Sequence, residues 1–178
     1  ILPKQPQKNK SIVESILKNV QKNGDSAVKK YEKKFTGASI STLRVSVTEI
    51  KNAYSKVSKN EITALRIAKT RVEKTEFTVK TIFKDKKINH DGVQILKKFI
   101  PIPSIGCYIP GGLAKYPSSV IMSVIPAKVA GVKRIVVVSP PNSNGKIDPL
   151  TIVAADICGA TEIYKTGGVQ AIGALSYG

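Results

Sequence analysis

Apolar residues recur every three or four positions through most of the first eighty residues, which is the spacing of one face of an α-helix. A first stripe runs from Ile12 to Val20, and Gly24 is expected to end that helix. A second helix, ending before Gly37, has its predicted apolar face at Ala27, Val28, Tyr31 and Phe35. The beginning of the chain therefore favours short amphipathic helices.

Two further helices are predicted before residue 83. Ser46 with Glu49 three positions later has the form of a capping box, which opens a helix that continues to Val57. A longer helix follows, with its apolar face at Ile62, Leu65, Ala68 and Val72. A short strand is predicted at residues 43–45. Residues 1–82 are thus interpreted as a helical N-terminal region for packing or assembly, without visible chemistry.

The pattern changes to the spacing of strands from Phe83 onward. Asp91 and Gly92 form a turn signal between β-branched and aromatic residues, which predicts a hairpin. After Ser104 the segments IGCYIP, RIVVVS and EIYKTG read as strands that alternate with apolar helices. The run IVVV is apolar on both faces, as a parallel strand covered on both sides requires. Pro126 inside the first of these helices is expected to kink or split it.

Residues 83–178 are accordingly predicted to form part of an open, mostly parallel, Rossmann-like sheet. The expected fold class is α/β, with the helical N-terminal region followed by this sheet. The final helical segment, GGVQAIGALSYG, has no strand after it. We therefore expect this α/β domain to be incomplete, with the rest of the protein beyond residue 178.

Composition is that of an ordinary globular protein, with 42% hydrophobic residues and a mean hydropathy of -0.05. No apolar run approaches the roughly 20 residues that cross a bilayer, and the first residues do not resemble a secretory signal. Cys107 and Cys158 are 51 positions apart and are read as reduced, buried thiols. These features predict a cytoplasmic protein that does not bind a membrane.

The first hundred residues hold 23 of the 29 Lys and Arg and 9 of the 12 Asp and Glu. Because basic residues outnumber acidic ones so strongly there, most of the net positive charge lies in this part of the chain. Such a charge invites a nucleic-acid-binding interpretation. The basic residues, however, are interspersed with apolar helix positions, aromatic residues are few, and no zinc-finger or RNA-binding signature is present. Solvated, lysine-rich helix faces are the favoured explanation, and a basic nucleic-acid-binding protein is the alternative.

Candidate chemistry lies in three loops that follow the predicted parallel strands, at residues 108–112, 139–145 and 166–170. Ligands of open α/β sheets gather at this edge, and glycines there either let backbone approach a ligand or simply make turns. Neither the G-x-G-x-x-G fingerprint nor a P-loop is present. His90 is the only histidine, so no Ser-His-Asp set exists, and we assign no catalytic residue or metal ligand to this chain.

Several motifs together resemble the N-terminal part of histidinol dehydrogenases. They are Y-I-P-G-G from Tyr108, Y-P-S-S from Tyr116, I-P-A-K-V-A-G-V from Ile125, and G-G-V-Q-A-I-G-A-L-S-Y-G from Gly167. The segment GDSAVKKYEKKFTG is similar to an early motif of the family, with Thr36 where an acid is usual. The resemblance is close from about residue 100 to the end and looser before it.

The resemblance implies an NAD-linked, zinc-dependent oxidoreductase of histidine biosynthesis, a cytoplasmic homodimer that oxidises L-histidinol through L-histidinal to L-histidine. It implies that Tyr108 and Gln170 contact NAD. It also implies that the acid/base pair and the zinc ligands lie beyond residue 178, so this chain alone is expected to be inactive. A truncated, non-catalytic interaction module is a further alternative.

Overall fold

The computed structural model describes residues 7–111 and 115–177. The helices are α1 (Gln7–Thr36), α2 (Val47–Tyr54), α3 (Lys59–Lys80), α4 (Pro117–Ala130), α5 (Pro149–Cys158) and α6 (Gly168–Tyr177). The strands are β1 (Lys86–His90), β2 (Val93–Lys97), β3 (Ser104–Tyr108), β4 (Arg134–Ser139) and β5 (Glu162–Lys165). No helix in these ranges is both long and apolar enough to cross a membrane.

A parallel sheet in the order β3-β4-β5 forms the centre of the protein, which confirms the predicted α/β fold class. Val137 of β4 lies opposite Cys107 of β3 and Ile163 of β5. Five of the six residues of β4 are buried, because helices cover both faces of the sheet.

The two faces of the sheet carry different helices. Alternate side chains of β4, such as Ile135 and Val137, pack into the main core with α2, α3, α4 and α5. Val136 and Val138 face the opposite side, where they pack against Ala171 of α6. Helix α1 packs on α6 on that second side, so the helices of residues 1–82 lie on both faces of the sheet.

Local capping signals were read correctly from the sequence. Ser46 and Glu49 form the predicted capping box at the start of α2, and Ser58 with Glu61 forms a second box that opens α3. The predicted break between the first two helices is also confirmed. It lies at Gly24 within α1, where φ is 51° and ψ is -135°.

Two local predictions differ from the structure. Helix α4 continues through Pro126 to Ala130 without a break, because the helix buries apolar side chains on both sides of the proline and this packing outweighs one lost backbone bond. Residues 43–45 do not form a strand. They make an antiparallel bridge at Arg44 to Tyr164, with the Val45 N–H donating to the Ile163 carbonyl at 2.8 Å, and so cover the outer edge of β5.

Strands β1 and β2 form the predicted hairpin, with left-handed backbone at Asp91 (φ 47°) and Gly92 (φ 81°) in its turn. Every residue of both strands is exposed. The hairpin and the adjoining end of α3 therefore carry an apolar surface, which we call the hairpin surface. It comprises Phe77, Ile82, Phe83, Ile95, Leu96, Phe99 and Ile100.

Candidate functional site

The loops that leave the carboxyl ends of β3, β4 and β5 pack against one another at Pro140. A Cβ added at Gly167 would lie 2.5 Å from the Pro140 Cβ, and one at Gly111 would lie 2.9 Å from the Pro140 Cγ. Both distances are too short for real atoms, so only glycine allows this packing. These two glycines thus have a packing role; Gly112, from the same predicted loop, lies outside the described residues.

Tyr108 stands at the end of β3 and reaches across to the loop after β5. Its hydroxyl accepts a hydrogen bond from the Gly168 N–H at 3.0 Å. The side chain is 38% exposed, and the hydroxyl proton is not used in that bond. Tyr108 is therefore able to donate a hydrogen bond to a ligand at this edge.

Gln170, in the first turn of α6, is 2% exposed. Its Nε2 donates to the Oε1 of Glu32 at 2.8 Å, and since a carboxylate only accepts, this contact fixes which side of the amide faces inward. The Oε1 of Gln170 is buried and has no hydrogen-bond partner among the described residues. The polar group that this orientation leaves unpaired on Gln170 is thus an acceptor.

Glu32 of α1 is a member of this site that sequence reasoning missed. It is fully buried, and its Oε1 accepts hydrogen bonds from the Thr166 hydroxyl at 2.7 Å and the Gly167 N–H at 2.8 Å, besides that from Gln170. The Oε2 is buried without a partner among the residues described.

A weak signal for Glu32 was present in the sequence. It follows Val28 by four positions, so both side chains project from the same face of the helix, and Val28 is fully buried. The predicted apolar face ended at Tyr31 and Phe35, whereas the buried side of the helix turns towards Glu32, one position further along. Phe35, assigned to that face, is 53% exposed and stacks on Tyr31 instead.

An open cleft of about 340 Å³ lies between α1 and the loop that starts α6. Its lining is mainly apolar and includes Phe35, Pro140 and Val169, with Glu32 and Gln170 at its polar end. Buried acceptors without partners cost free energy unless a donor reaches them. A hydroxyl or amine donor that reached either of these two buried oxygens would supply the missing hydrogen bond.

The described parts of the chain do not assemble a metal site. In residues 7–111 and 115–177 no three His, Cys, Asp or Glu side chains lie close enough to hold an ion. His90 stands in the exposed hairpin turn, 3.4 Å from the Asp91 carboxylate. Cys107 and Cys158 are buried free thiols, as predicted, and burial raises the pKa of both, that of Cys158 to about 11. Neither cysteine is a thiolate nucleophile near neutral pH.

An ion pair fastens the end of β5 next to this site. Lys165 is 7% exposed as a residue, and its Nζ lies 2.9 Å from the Oε1 of Glu49. Burial opposes the charge of Glu49, but hydrogen bonds from Lys165 and Ser46 outweigh it and hold the pKa of this carboxyl below its ordinary value. The pair links α2 to the residue that precedes Thr166.

Comparisons with known proteins agree on one family. The family model described as histidinol dehydrogenase matches residues 3–178. A histidinol dehydrogenase from Methanococcus maripaludis is 47% identical over 167 residues, which cover 93% of this chain and 39% of that protein. One from Gloeobacter violaceus is 44% identical over 177 residues, which cover 98% of this chain and 39% of that protein.

A solved structure gives the same result. The crystal structure of histidinol dehydrogenase from Elizabethkingia anophelis superposes with a TM-score of 0.91 at 36% identity, covering 100% of this chain and 40% of that chain. The chain thus spans roughly two fifths of the length of the relatives it matches. On the family model and these relatives together, the chain belongs to the histidinol dehydrogenase family.

Proposed function

We propose that this chain is the N-terminal part of an NAD- and zinc-dependent histidinol dehydrogenase, which oxidises L-histidinol through L-histidinal to L-histidine in the cytoplasm. Its part in the reaction is to form the core of the α/β domain and one wall of the coenzyme site. The observation that carries this proposal is the meeting of Tyr108 and Gln170 at the glycine turn after β5, within a chain of this family.

The path of the chain supports a coenzyme site at this position. Helices α4 and α5, which follow β3 and β4, pack together on one face of the sheet, whereas α6, which follows β5, lies on the other face. Helix α6 returns over the sheet to β3, where Leu175 contacts Gly106. Open α/β sheets bind nucleotides outside the carboxyl ends of their strands, and Tyr108 ends one of these strands.

The polar groups at this edge suit the hydroxyl groups of a ribose. The Tyr108 hydroxyl has a proton to donate, and the Gln170 Oε1 has free lone pairs. Bound NAD supplies the electron acceptor for oxidation of an alcohol. The residues described here bind and orient that coenzyme; we assign the proton transfers to side chains elsewhere in the enzyme.

Zinc does not fit the residues described here, because they bring no three suitable ligands together. We therefore propose that the metal is held by other residues of the enzyme, and we derive no step through it. We also propose a homodimer, supported by the exposed apolar side chains of the hairpin surface, since clusters of exposed apolar residues often mark interfaces. Analytical ultracentrifugation of the complete enzyme tests that assembly, and a monomer at micromolar concentration would exclude it.

The first prediction concerns the purified 178-residue chain, which we expect to form no NADH from L-histidinol. The physical reason is that no metal site is found among its described residues and that His90, its single histidine, lies in the exposed hairpin rather than at the carboxyl ends of the parallel strands. Absorbance at 340 nm and metal analysis measure both properties, with the complete enzyme as the positive control. Turnover by the chain alone would contradict the proposal.

The second prediction is that Tyr108→Ala or Gln170→Ala in the complete enzyme raises the KM for NAD about tenfold or more, with the KM for L-histidinol within about twofold of wild type. Each substitution removes one hydrogen-bonding group from the proposed coenzyme wall, at a typical cost of about 1.5 kcal/mol. Steady-state kinetics with each substrate varied in turn measures this. Unchanged NAD kinetics in both variants would remove the assignment.

A further inference from the structure

A buried carboxylate behind the proposed coenzyme wall needs an explanation. Glu32 is 0% exposed, and an ionised carboxylate in such a place is costly unless donors compensate for it. All three donors approach the same oxygen, Oε1, and two of them, Gly167 and Gln170, belong to the turn that begins α6. The carboxylate therefore acts on that turn rather than on the sheet as a whole.

Glu32 determines which way the Gln170 amide faces. If the amide were reversed, its oxygen would point at the Glu32 Oε1, and two acceptors would face each other at hydrogen-bonding distance. The observed orientation places the Gln170 Oε1 over Gly168, where a Cβ built on that glycine would lie 3.0 Å from this oxygen. The N–H of the same glycine is bonded to Tyr108.

We infer that Glu32 is a positioning residue of the coenzyme site, which holds the Thr166–Gln170 turn in place and keeps the Gln170 amide oxygen available as an acceptor for NAD. This inference rests on the proposed function, because it assumes that Gln170 contacts the coenzyme. In this inference Glu32 acts through Gln170 and Gly167, which its Oε1 binds directly, rather than through a contact of its own with NAD.

The test is Glu32→Gln in the complete enzyme, which keeps the size of the side chain and removes its charge. A neutral amide can present its own N–H to Gln170, so the orientation of the Gln170 amide is no longer fixed. We expect the KM for NAD to rise about tenfold while kcat stays within about twofold. Glu14→Gln is the matched control, because Glu14 lies in α1 before the break at Gly24 with its side chain 54% exposed, and wild-type kinetics are expected for it.

A double-mutant cycle separates this inference from the proposed function. If Glu32 acts through Gln170, Glu32→Gln has little further effect in a Gln170→Ala background, whereas an effect on the fold alone would add in full. A raised KM for NAD in Gln170→Ala with a normal KM in Glu32→Gln overturns the inference and leaves the coenzyme site standing. A normal KM in both variants overturns the coenzyme site itself.

A second pair of variants covers the case in which Glu32→Gln does not fold. Thr166→Val removes one donor to the Glu32 Oε1, and Thr166→Ser retains the hydroxyl. We expect Thr166→Val to raise the KM for NAD about threefold and Thr166→Ser to match wild type. Equal values for the two variants overturn the inference.

Discussion

Two glutamates lie near opposite ends of β5: Glu162, partly buried, at the amino end, and Glu32, fully buried, at the carboxyl end. Their carboxylates differ in how the hydrogen bonds are shared between the two oxygens. At the amino end, both oxygens of Glu162 have partners: Oε1 lies 2.7 Å from the Arg134 Nε, and Oε2 accepts from the Tyr164 hydroxyl at 2.6 Å. At the carboxyl end, Glu32 has three donors on one oxygen and none on the other.

This difference suggests that the two ends of the sheet have different roles, one in stability and the other in the proposed binding of a ligand. A carboxylate with partners on both oxygens is compensated within the folded chain and needs no ligand to complete it. A buried carboxylate and amide with one unpaired acceptor each are less stable by themselves, and such groups concentrate at sites completed by a ligand. The amino end therefore supports the sheet, whereas the carboxyl end carries the unpaired acceptors on which the proposed coenzyme site depends.

The largest effect that would sharpen this comparison is expected from Gly167→Ala. The new Cβ would lie 2.5 Å from the Pro140 Cβ and 3.1 Å from its Cα, so the backbone of the turn has to move. We expect a loss of about 2–3 kcal/mol in the free energy of unfolding and a raised KM for NAD. Denaturant unfolding and kinetics of the complete enzyme measure the two.

The partner variant for that experiment is Pro140→Gly, which removes the obstructing side chain. If contact with Pro140 is the cause, Gly167→Ala costs clearly less in the Pro140→Gly background than in the wild type. An identical cost in both backgrounds would show that the glycine is required for another reason.

A smaller effect is expected at the amino end from Glu162→Gln. Hydrogen bonds from Arg134 and Tyr164 lower the pKa of Glu162 from its ordinary 4.5 to about 2. Because the folded-state pKa is the lower one, this carboxylate's stabilisation is complete above about pH 4.5 and is lost as the pH falls towards 2. Wild-type stability should decline across that range, and the variant should lack this part of the decline.

The size of this effect is modest because the Arg134 side chain is 57% exposed. We expect Glu162→Gln to lose about 1 kcal/mol at pH 7, measured by urea unfolding, with the KM for NAD unchanged. Glu14→Gln serves again as the exposed control. Two results would contradict the proposed difference in role between the two ends of β5. One is that the free energy of unfolding falls with pH in the same way for wild type and Glu162→Gln, and the other is a raised KM for NAD in the variant.

Features that depend on neighbours in the chain were predictable from the sequence. The capping box at Ser46, the N-cap at Asp148, which accepts from the Leu150 N–H at 2.9 Å, and the two-sided burial of β4 all follow from short-range rules. The positions of Tyr108 and Gln170 at one edge also followed, since carboxyl ends of parallel strands meet there.

Features that depend on distant contacts were not predictable. Glu32 meets Gln170 across 138 positions of sequence, and its four-residue spacing from Val28 is only a weak indication that this acid turns inward. The continuation of α4 through Pro126 without a break is likewise decided by packing around the helix, which local propensity does not include. The residues that sequence reasoning missed are thus the ones whose environment is made by another element.

The two edges of the parallel sheet differ in whether they are covered. Residues 43–45 block the outer side of β5, whereas the outer side of β3 pairs with no strand in the described ranges. Any strand that extends this sheet must therefore join beside β3, next to Tyr108. Such a strand would lie beside the proposed coenzyme site, so that the same pairing would extend the sheet and add residues to that site.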